Sequence, residues 1–581
     1  MPVIKLIGFS GEVPRMQPRQ LPAVGAQYAF NSRLENGALV PVRRSRLARR
    51  FSDAPPDTIK SIYLHQGEWL QWGSVVNAAP GPVAQDRLYY TGDGAPKMRV
   101  AGKVYPLAMP QPADKLVPVA SGEATSSDIT TRLYAYTFVS DFGEEGEPCP
   151  ISDEVEWRPG QTVTLNGFVK PPKGRAITKQ RIYRSQSGTT GTTTLNFISE
   201  REASDHDFVD DIAVDDFAEA ILSQEWQPPP DGMAGLISLP NGMMVGFVGK
   251  DLYFCEPWYP HAWPEKYVLT LDYPIVGLGA FGTSIAVMTT GNPYIVSGTA
   301  PENMASEKTE LNLPCINARG IVDLGYAVAY PTQDGLASVS SAGASVVSSA
   351  LLARNDWLKF NPQTFVAGQI SGRYFASYEY VDNGTPRRGS FLFDLSGSTP
   401  FLLRWAATAD AVHYDVPTST LYALDDVDVN ELDAVGQQRD VMTWRSKQFV
   451  LPPLQESFSC IKVDTVSVKT RAQMRAEAAD RQATIDRNAA KMPFPLGGEL
   501  NGSSFNTYAL DGDSLEVIPQ AETVAVRLYA DGELVATKTG LNVIERLPAG
   551  YRAEVLEVEI TGTAEIAQVR IASSMDELGA S

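Results

Sequence analysis

The sequence predicts a mainly β fold: a β-propeller core, an inserted sandwich domain, and a C-terminal β-sandwich carrying one helical insertion. Two observations carry that expectation. Between Leu239 and Gly298 the short apolar runs VGFVG, DLYFC, IAVMT and PYIVS are separated by Asn241-Gly242, Gly249-Lys250-Asp251, Gly282 and Gly291-Asn292-Pro293. Those residues supply the positive or fixed φ that tight turns need. A related phrase, a polar turn followed by a short aromatic-aliphatic strand, recurs near Tyr253, Tyr294, Leu336, Tyr374 and Tyr422. The steps are about 40 residues, the period of a four-stranded propeller blade.

In chain order, residues 1–50 read as an extended N-terminal arm with few strand signals and, after the initial Met-Pro, three prolines ahead of Gly25 (Pro14, Pro18 and Pro22). The arm is basic: Lys5 and eight arginines, among them Arg43, Arg44, Arg46, Arg49 and Arg50, face only Glu12 and Glu35. Such a segment in an acidic chain is expected to pair with an acidic neighbour or to lie along its own propeller. Residues 51–115 return to strands (SIYLHQGEWLQWG, DRLYYTG, MRVAGKVYPL) and read as the first part of the propeller. Residues 116–230 differ in texture. The alternating TRLYAYTFVS runs into the turn DFGEEGEPCP, and a Tyr-rich strand leading to Gly-Glu-x-Glu-Pro resembles a fibronectin III-like sandwich. We read an inserted domain there, closed by the linker WQPPPDG at Trp226–Gly232.

The propeller resumes over 231–454, and 455–581 forms the C-terminal β-sandwich, which takes in the strand FSCIKVDTVSV. Within it, residues 470–491 contain no Gly or Pro and are rich in Ala, Arg and Glu, which predicts a helix. Its apolar stripe is thin (Met474, Ala478, Ile485), Glu477 and Arg481 are spaced for an ion pair, and Pro493 and Pro495 end it. In TVAVRLYADGELVATKTG, Asp531-Gly532 is the expected type I′ turn of a hairpin.

A length of 581 residues calls for three or four cores, and 43% hydrophobic residues is ordinary for a folded chain. The net charge of −19 argues against a surface that grips nucleic acid, because phosphate binding is driven by Lys and Arg displacing counterions. The four cysteines (Cys149, Cys255, Cys315, Cys460) have no metal or disulfide spacing, which points to synthesis in a reducing compartment, and no apolar run reaches membrane-spanning length. His261, between Pro260 and Trp263, reads as a packed turn histidine. Trp258, Tyr259 and Trp263 read as packing anchors stiffened by Pro257, Pro260 and Pro264. Asp425, Asp426, Asp428, Asn430 and Glu431 alternate like a calcium loop, yet Glu431 stands where Gly is required and Gln437 where the bidentate Glu belongs. No catalytic, cofactor or metal motif emerges, and the chain is expected not to be an enzyme.

The phrases PNGMMVGFVG, CEPWYPHAWPEKY, DYPIVGLGAFG and TTGNPYIVSGTAPENM closely resemble the tail nozzle, or tail tubular protein B-like, family of short-tailed bacteriophages. The resemblance extends to QLPAVGAQYAFNSRLENGALVPV and to RLPAGYRAEVLEVEITGTAEIAQVRIASSMDEL, and so covers most of the chain. It implies a virion protein made in the host cytoplasm that forms a homo-hexameric ring. The ring would dock on the tail adaptor ring on the portal side, extend and gate the DNA ejection channel, and anchor tail fibres or spikes. DNA would pass through without specific binding. The arm residues Arg43, Arg44, Arg46, Arg49 and Arg50 and the helix residues Arg471, Arg475, Arg481 and Arg487 are the inter-chain contact candidates. A propeller that binds or hydrolyses host-surface glycans is the alternative. It requires carboxylates or tyrosines converging at the propeller axis, or exposed loop-tip aromatics.

Overall fold

In several sheets consecutive short strands pair antiparallel with their sequence neighbours, as the closely spaced turn residues require. The computed structural model describes residues 3–52, 55, 58–187, 193–213, 219–395, 400–451, 457–491 and 515–580. Strands take up 46% of the chain, about twice the share typical of globular domains, so the mainly β class holds. The chain divides into two compact units, residues 54–346 and residues 1–53 with 347–581.

In the unit of residues 54–346, three four-stranded sheets follow one another as simple meanders. The first runs Ala234–Ser238, Met244–Val248, Asp251–Phe254, Leu269–Thr270. The second runs Ile275–Phe281, Ser284–Thr289, Tyr294–Ser297, Ala305–Lys308, and the third Val322–Asp323, Val328–Pro331, Leu336–Ser340, Gly343–Val346. Another four-stranded sheet joins Asn77–Pro80, Arg87–Thr91, Lys97–Val100 and Lys103–Pro106. The sheets meet through their first strands: Ala234–Ser238 touches Asn77–Pro80 and Ile275–Phe281, and the latter touches Val322–Asp323. Middle strands such as Ser284–Thr289 are buried on both faces, which explains their continuous apolar reading. Glycine permits the close approach: a Cβ on Gly279 would sit 2.6 Å from Cγ1 of Val328 in the next sheet.

The inserted residues fold around a core of their own that includes Tyr134, Tyr136, Phe138, Val163, Leu165 and Ile182. One small sheet joins Val117–Ser121, Thr162–Asn166 and Phe208–Asp210; another joins Tyr134–Ser140, Ile177–Ser187 and Thr193–Glu202.

In the other unit, two expected boundaries are crossed by strand pairing. Residues 1–50 do not form a separate arm: Ile4–Ile7, Ala26–Phe30 and Arg46–Arg50 are strands of three different sheets, and Leu6, Phe9, Ala26 and Ala29 are core. The boundary at 454 is bridged as well. A ten-stranded sheet runs from Val366–Ile370 through Arg373–Asp382, Thr385–Asp394, Phe401–Trp405, Ala26–Phe30 and Met442–Ser446 to Val555–Gly562, Val524–Ala530 and Glu533–Lys538, with Phe449–Val450 also paired to Val555–Gly562. Both corrections have one cause. Alternation marks a strand but not its partner, and these partners lie hundreds of residues away. The strand Cys460–Thr465, expected in the C-terminal part, pairs there with Ile566–Ala572.

The helix is Arg471–Lys491, within one residue of expectation. Thr470 caps it: its hydroxyl accepts from the Gln473 amide while the Gln473 side chain accepts from the Thr470 amide, a capping box. The stripe differs. Met474 and Ala478 are exposed, Ile485 is half-buried, and the side chains that pack are Thr484 and Asn488. The Asn488 amide bonds both the backbone N–H and C=O of Glu516 at 2.8 Å, and Glu477 pairs with Lys469 in place of Arg481. The Asp531-Gly532 hairpin turn has φ of 51° and 87°, the double positive φ of a type I′ turn.

Because Val328 is β-branched and cannot swing away, Gly279→Ala should destabilise the full chain by about 1–3 kcal/mol in urea unfolding. The same substitution made on a Val328→Ala background should cost clearly less.

Candidate contact surfaces

The arm arginines are set by pairing of Arg46–Arg50 with Asp428–Glu431, which places Arg50 opposite Asp428 and Arg46 opposite Glu431. Arg50 holds Asp428 through two bonds of 2.6 Å, and Arg46 holds Glu431 at 2.5 Å. The Arg50 partnership pulls the Asp428 carboxyl below its ordinary value. Arg44 reaches Asp440 at 3.2 Å, and the backbone N–H of Arg43 donates to Asp433, which also pairs with Arg33. Arg49 has no ion-pair partner among the described residues. On the helix, Arg471 opens the first turn, Arg475 and Arg481 are exposed, and Arg487 binds Glu516 and the Thr484 hydroxyl. No hydrogen bond or ion pair joins the arm and helix candidates to one another among the described residues, and most arm arginines are already matched to acids of the same chain.

The acidic alternation at 425–431 is a hairpin: Asp425 pairs with Asp428 across a turn in which Asp426 has φ 58°. The carboxylates of Asp425, Asp428 and Glu431 are taken by Arg388, Arg50 and Arg46 respectively. Among the described residues, no group of three His, Cys, Asp or Glu side chains could hold a metal ion, and no helix is long and apolar enough to cross a membrane.

A cluster of buried charges lies among residues 116–230: Arg132, Arg175, Arg184 and Asp210, with Glu144 and Glu145 of the turn-like stretch DFGEEGEPCP. Glu144 accepts from Arg175 at 2.6 Å and from Arg87 at 3.3 Å. Glu145 accepts from Thr137, Tyr183, Ser223 and Arg181. Asp210 accepts from Arg184, Arg132 and Tyr134. Glu144 and Glu145, each next to a glycine, and Asp210, next to Asp211, gave no signal in sequence, because their arginine partners are 26 to 78 residues away. With so many partners these carboxylates act as structural ties, not as free acids or bases. His261 belongs to the same group: its Nε2–H donates to the backbone oxygen of Glu145 at 2.8 Å, and burial lowers its pKa to about 4. It is the packed turn histidine the sequence suggested.

The aromatic loop divides. Trp263 is fully buried and donates to the Pro260 carbonyl at 2.7 Å, and Tyr259 packs on Trp226 with ring centroids 4.4 Å apart. Trp258 is 55% exposed, yet its ring covers Gly242, where a Cβ would sit 2.6 Å from it. Trp258 is therefore an exposed cover and not a buried anchor. All four cysteines are buried and unpaired, and burial raises the thiols of Cys149 to about 11 and of Cys255 and Cys315 to about 12, which makes them poor nucleophiles. An open cleft of about 640 Å³ is floored by Leu352, Phe360 and Tyr378 and rimmed by Lys359, Asp382 and Arg404. Its rim charges are spent on Asp356, Arg387 and Glu12 respectively.

No known protein family matches the chain, and no curated protein does. Three solved structures show distant likenesses. The extracellular domain of the hybrid two component system BT4673 from B. thetaiotaomicron matches 55% of this chain and 40% of its own at 9% identity and TM-score 0.25. The N-terminal domain of Nup159 matches 49% of this chain and 67% of its own at 8% identity and TM-score 0.22. PorZ, a surface component of the type-IX secretion system of Porphyromonas gingivalis, matches 63% of this chain and 43% of its own at 10% identity and TM-score 0.20. The chain thus spans less than half the length of the first of these, and likenesses at such scores carry no argument about fold or function.

Two outcomes follow from the buried charges. Glu144→Ala strands Arg175 and Arg87 without a counter-charge and should cost about 3–5 kcal/mol in urea unfolding, with Glu144→Gln costing less. His261 and His413, both held near 4 by burial against 6.5 when unfolded, bind more protons in the unfolded chain between those values. Their contribution is full above pH 6.5 and is lost as pH falls toward 4, up to roughly 3 kcal/mol per histidine. His261→Gln, which can keep a bond to Glu145, should flatten the fall of the melting temperature over that window.

Proposed function

We propose that this chain is a structural virion protein, the tail nozzle of a short-tailed phage, acting as a homo-hexameric ring that extends and gates the DNA ejection channel. In this reading the ring seats on the tail adaptor ring on the portal side and anchors fibres or spikes, and the chain carries out no catalysis. The observation that supports it best is the succession of antiparallel meanders beginning at Ala234, Ile275, Val322, Val366 and Ala411, roughly 45 residues apart, the one from Val366 being the first four strands of the ten-stranded sheet. We read them as propeller blades. The last one, Ala411–Asp415, Thr420–Asp425 and Asp428–Glu431, takes its fourth strand, Arg46–Arg50, from the N-terminal segment. Residues 116–230 are read as a fibronectin III-like insertion that decorates the propeller.

Physical considerations agree with a conduit wall. Propellers leave only short edges and make rigid blocks. A net charge of −19 keeps passing DNA from adhering, because each exposed Lys or Arg would otherwise add a phosphate contact. The tying-up of Glu144, Glu145 and Asp210 by arginines supports a scaffold over an acid–base centre.

The test is assembly. Native mass spectrometry with electron microscopy of the purified chain should give six copies in a ring with a central channel, and duplex DNA should not be retained at physiological salt. A chain that is monomeric at every concentration, or that hydrolyses glycans in a manner abolished by one carboxylate change, would count against it.

A further inference from the structure

Two edge strands have every residue exposed. Arg46–Arg50 pairs only with Asp428–Glu431, and Ala305–Lys308 only with Tyr294–Ser297, so each leaves one backbone edge unpaired among the described residues. Other edge strands, such as Lys103–Pro106 and Gly343–Val346, keep some residues partly covered. An unpaired edge is a template for strand addition unless something prevents it. Here the two edges carry opposite charge. Residues 43–50 hold five arginines and no acid, and Arg46 and Arg50 stay 54% and 62% exposed even while paired. The segment around the other strand holds Glu302, Glu307 and Glu310, and its one cation, Lys308, is occupied by Asp272 at 2.8 Å. Glu307 and Glu310 have no ion-pair partner among the described residues, and neither has Arg49.

We propose that the basic edge Arg46–Arg50 of one copy adds onto the acidic edge Ala305–Lys308 of the next copy, forming an intermolecular β-ladder flanked by Arg–Glu pairs. The proposal rests on the reading that copies of this chain assemble side by side, and it names the surfaces that would meet. Charge sorts the possible pairings. Two basic edges repel, two acidic edges repel, and the mixed pair alone is attractive. A contact between two different patches is heterologous, the kind that propagates head to tail and closes into a ring. A ladder of four or five residues is weak singly, so stability comes from closure around the ring, where every copy is held on two sides.

The experiment uses the full chain with Arg49→Glu, Glu307→Lys and the double variant, at about 50 mM and 500 mM salt. Because neither side chain has an ion-pair partner among the described residues, the melting temperature of each variant should match the parent. Association followed by mass photometry should weaken about three- to tenfold for each single reversal at low salt and less at high salt. The double variant should recover most of the loss. Amide hydrogen exchange at 46–50 and 305–308 should slow on assembly, which identifies a backbone ladder and not side-chain attraction alone. Rings whose assembly is indifferent to both single reversals, or whose amides at these strands exchange as in the monomer, would overturn the proposed ladder and leave the tail reading standing. A parent chain that never associates would overturn both.

Discussion

The unit formed by residues 1–53 and 347–581 depends on one strand lying in the middle of a sheet. Ala26–Phe30 is parallel to Phe401–Trp405 and antiparallel to Met442–Ser446, so it supplies ladders on both sides. Glu12 holds it there. The Glu12 backbone exchanges hydrogen bonds with Leu402, and its carboxylate accepts from the Ala29 amide and from Arg404, all at about 3 Å. The Glu12 side chain is only 2% exposed, and burial pushes its pKa up while Arg404 pulls it back. A carboxylate so desolvated is tolerable only with its lone pairs used, and removing a partner would leave an uncompensated charge. Gly11 makes the approach possible, since a Cβ there would meet the Leu402 carbonyl at 2.6 Å.

The same economy of buried charge recurs in the inserted residues. A small core between short sheets has limited apolar surface to bury, and its strands are fixed in addition by Arg–carboxylate ties at Asp210 and Glu145. Through Glu144 and Arg87, and through His261 and Glu145, those ties reach the neighbouring sheets, so the insertion is bonded to the body of its unit and not merely strung from it. Such networks are geometrically demanding and contribute orientation more than net stability.

The charge of −19 is also not spread evenly. Arginines of the N-terminal segment line up against Asp428, Glu431, Asp433 and Asp440, which neutralises one sheet locally. The helix Arg471–Lys491 stands at the other extreme. Its capping box and its Ala-rich composition stabilise it from within, and only Thr484 and Asn488 among its described side chains are buried. A helix polar on all sides is one that packing does not hold.

Period and punctuation were legible in the sequence. The strands between Leu239 and Gly298, the Asp531-Gly532 turn, the span of the helix and the packed role of His261 all follow from local rules, because φ requirements, alternation and the absence of Gly and Pro act within a few residues. Partnership was not legible. That Ala26–Phe30 would lie between Phe401–Trp405 and Met442–Ser446, or that Arg46 would find Glu431, depends on contacts nearly 400 residues apart, and alternation carries no address. The buried acids Glu144 and Glu145 read as turn residues, and Asp210 beside Asp211 as a solvated loop edge, because exposure is the default for a carboxylate. Only the fold could bring Arg175, Arg181 and Arg184 to them and make their burial possible.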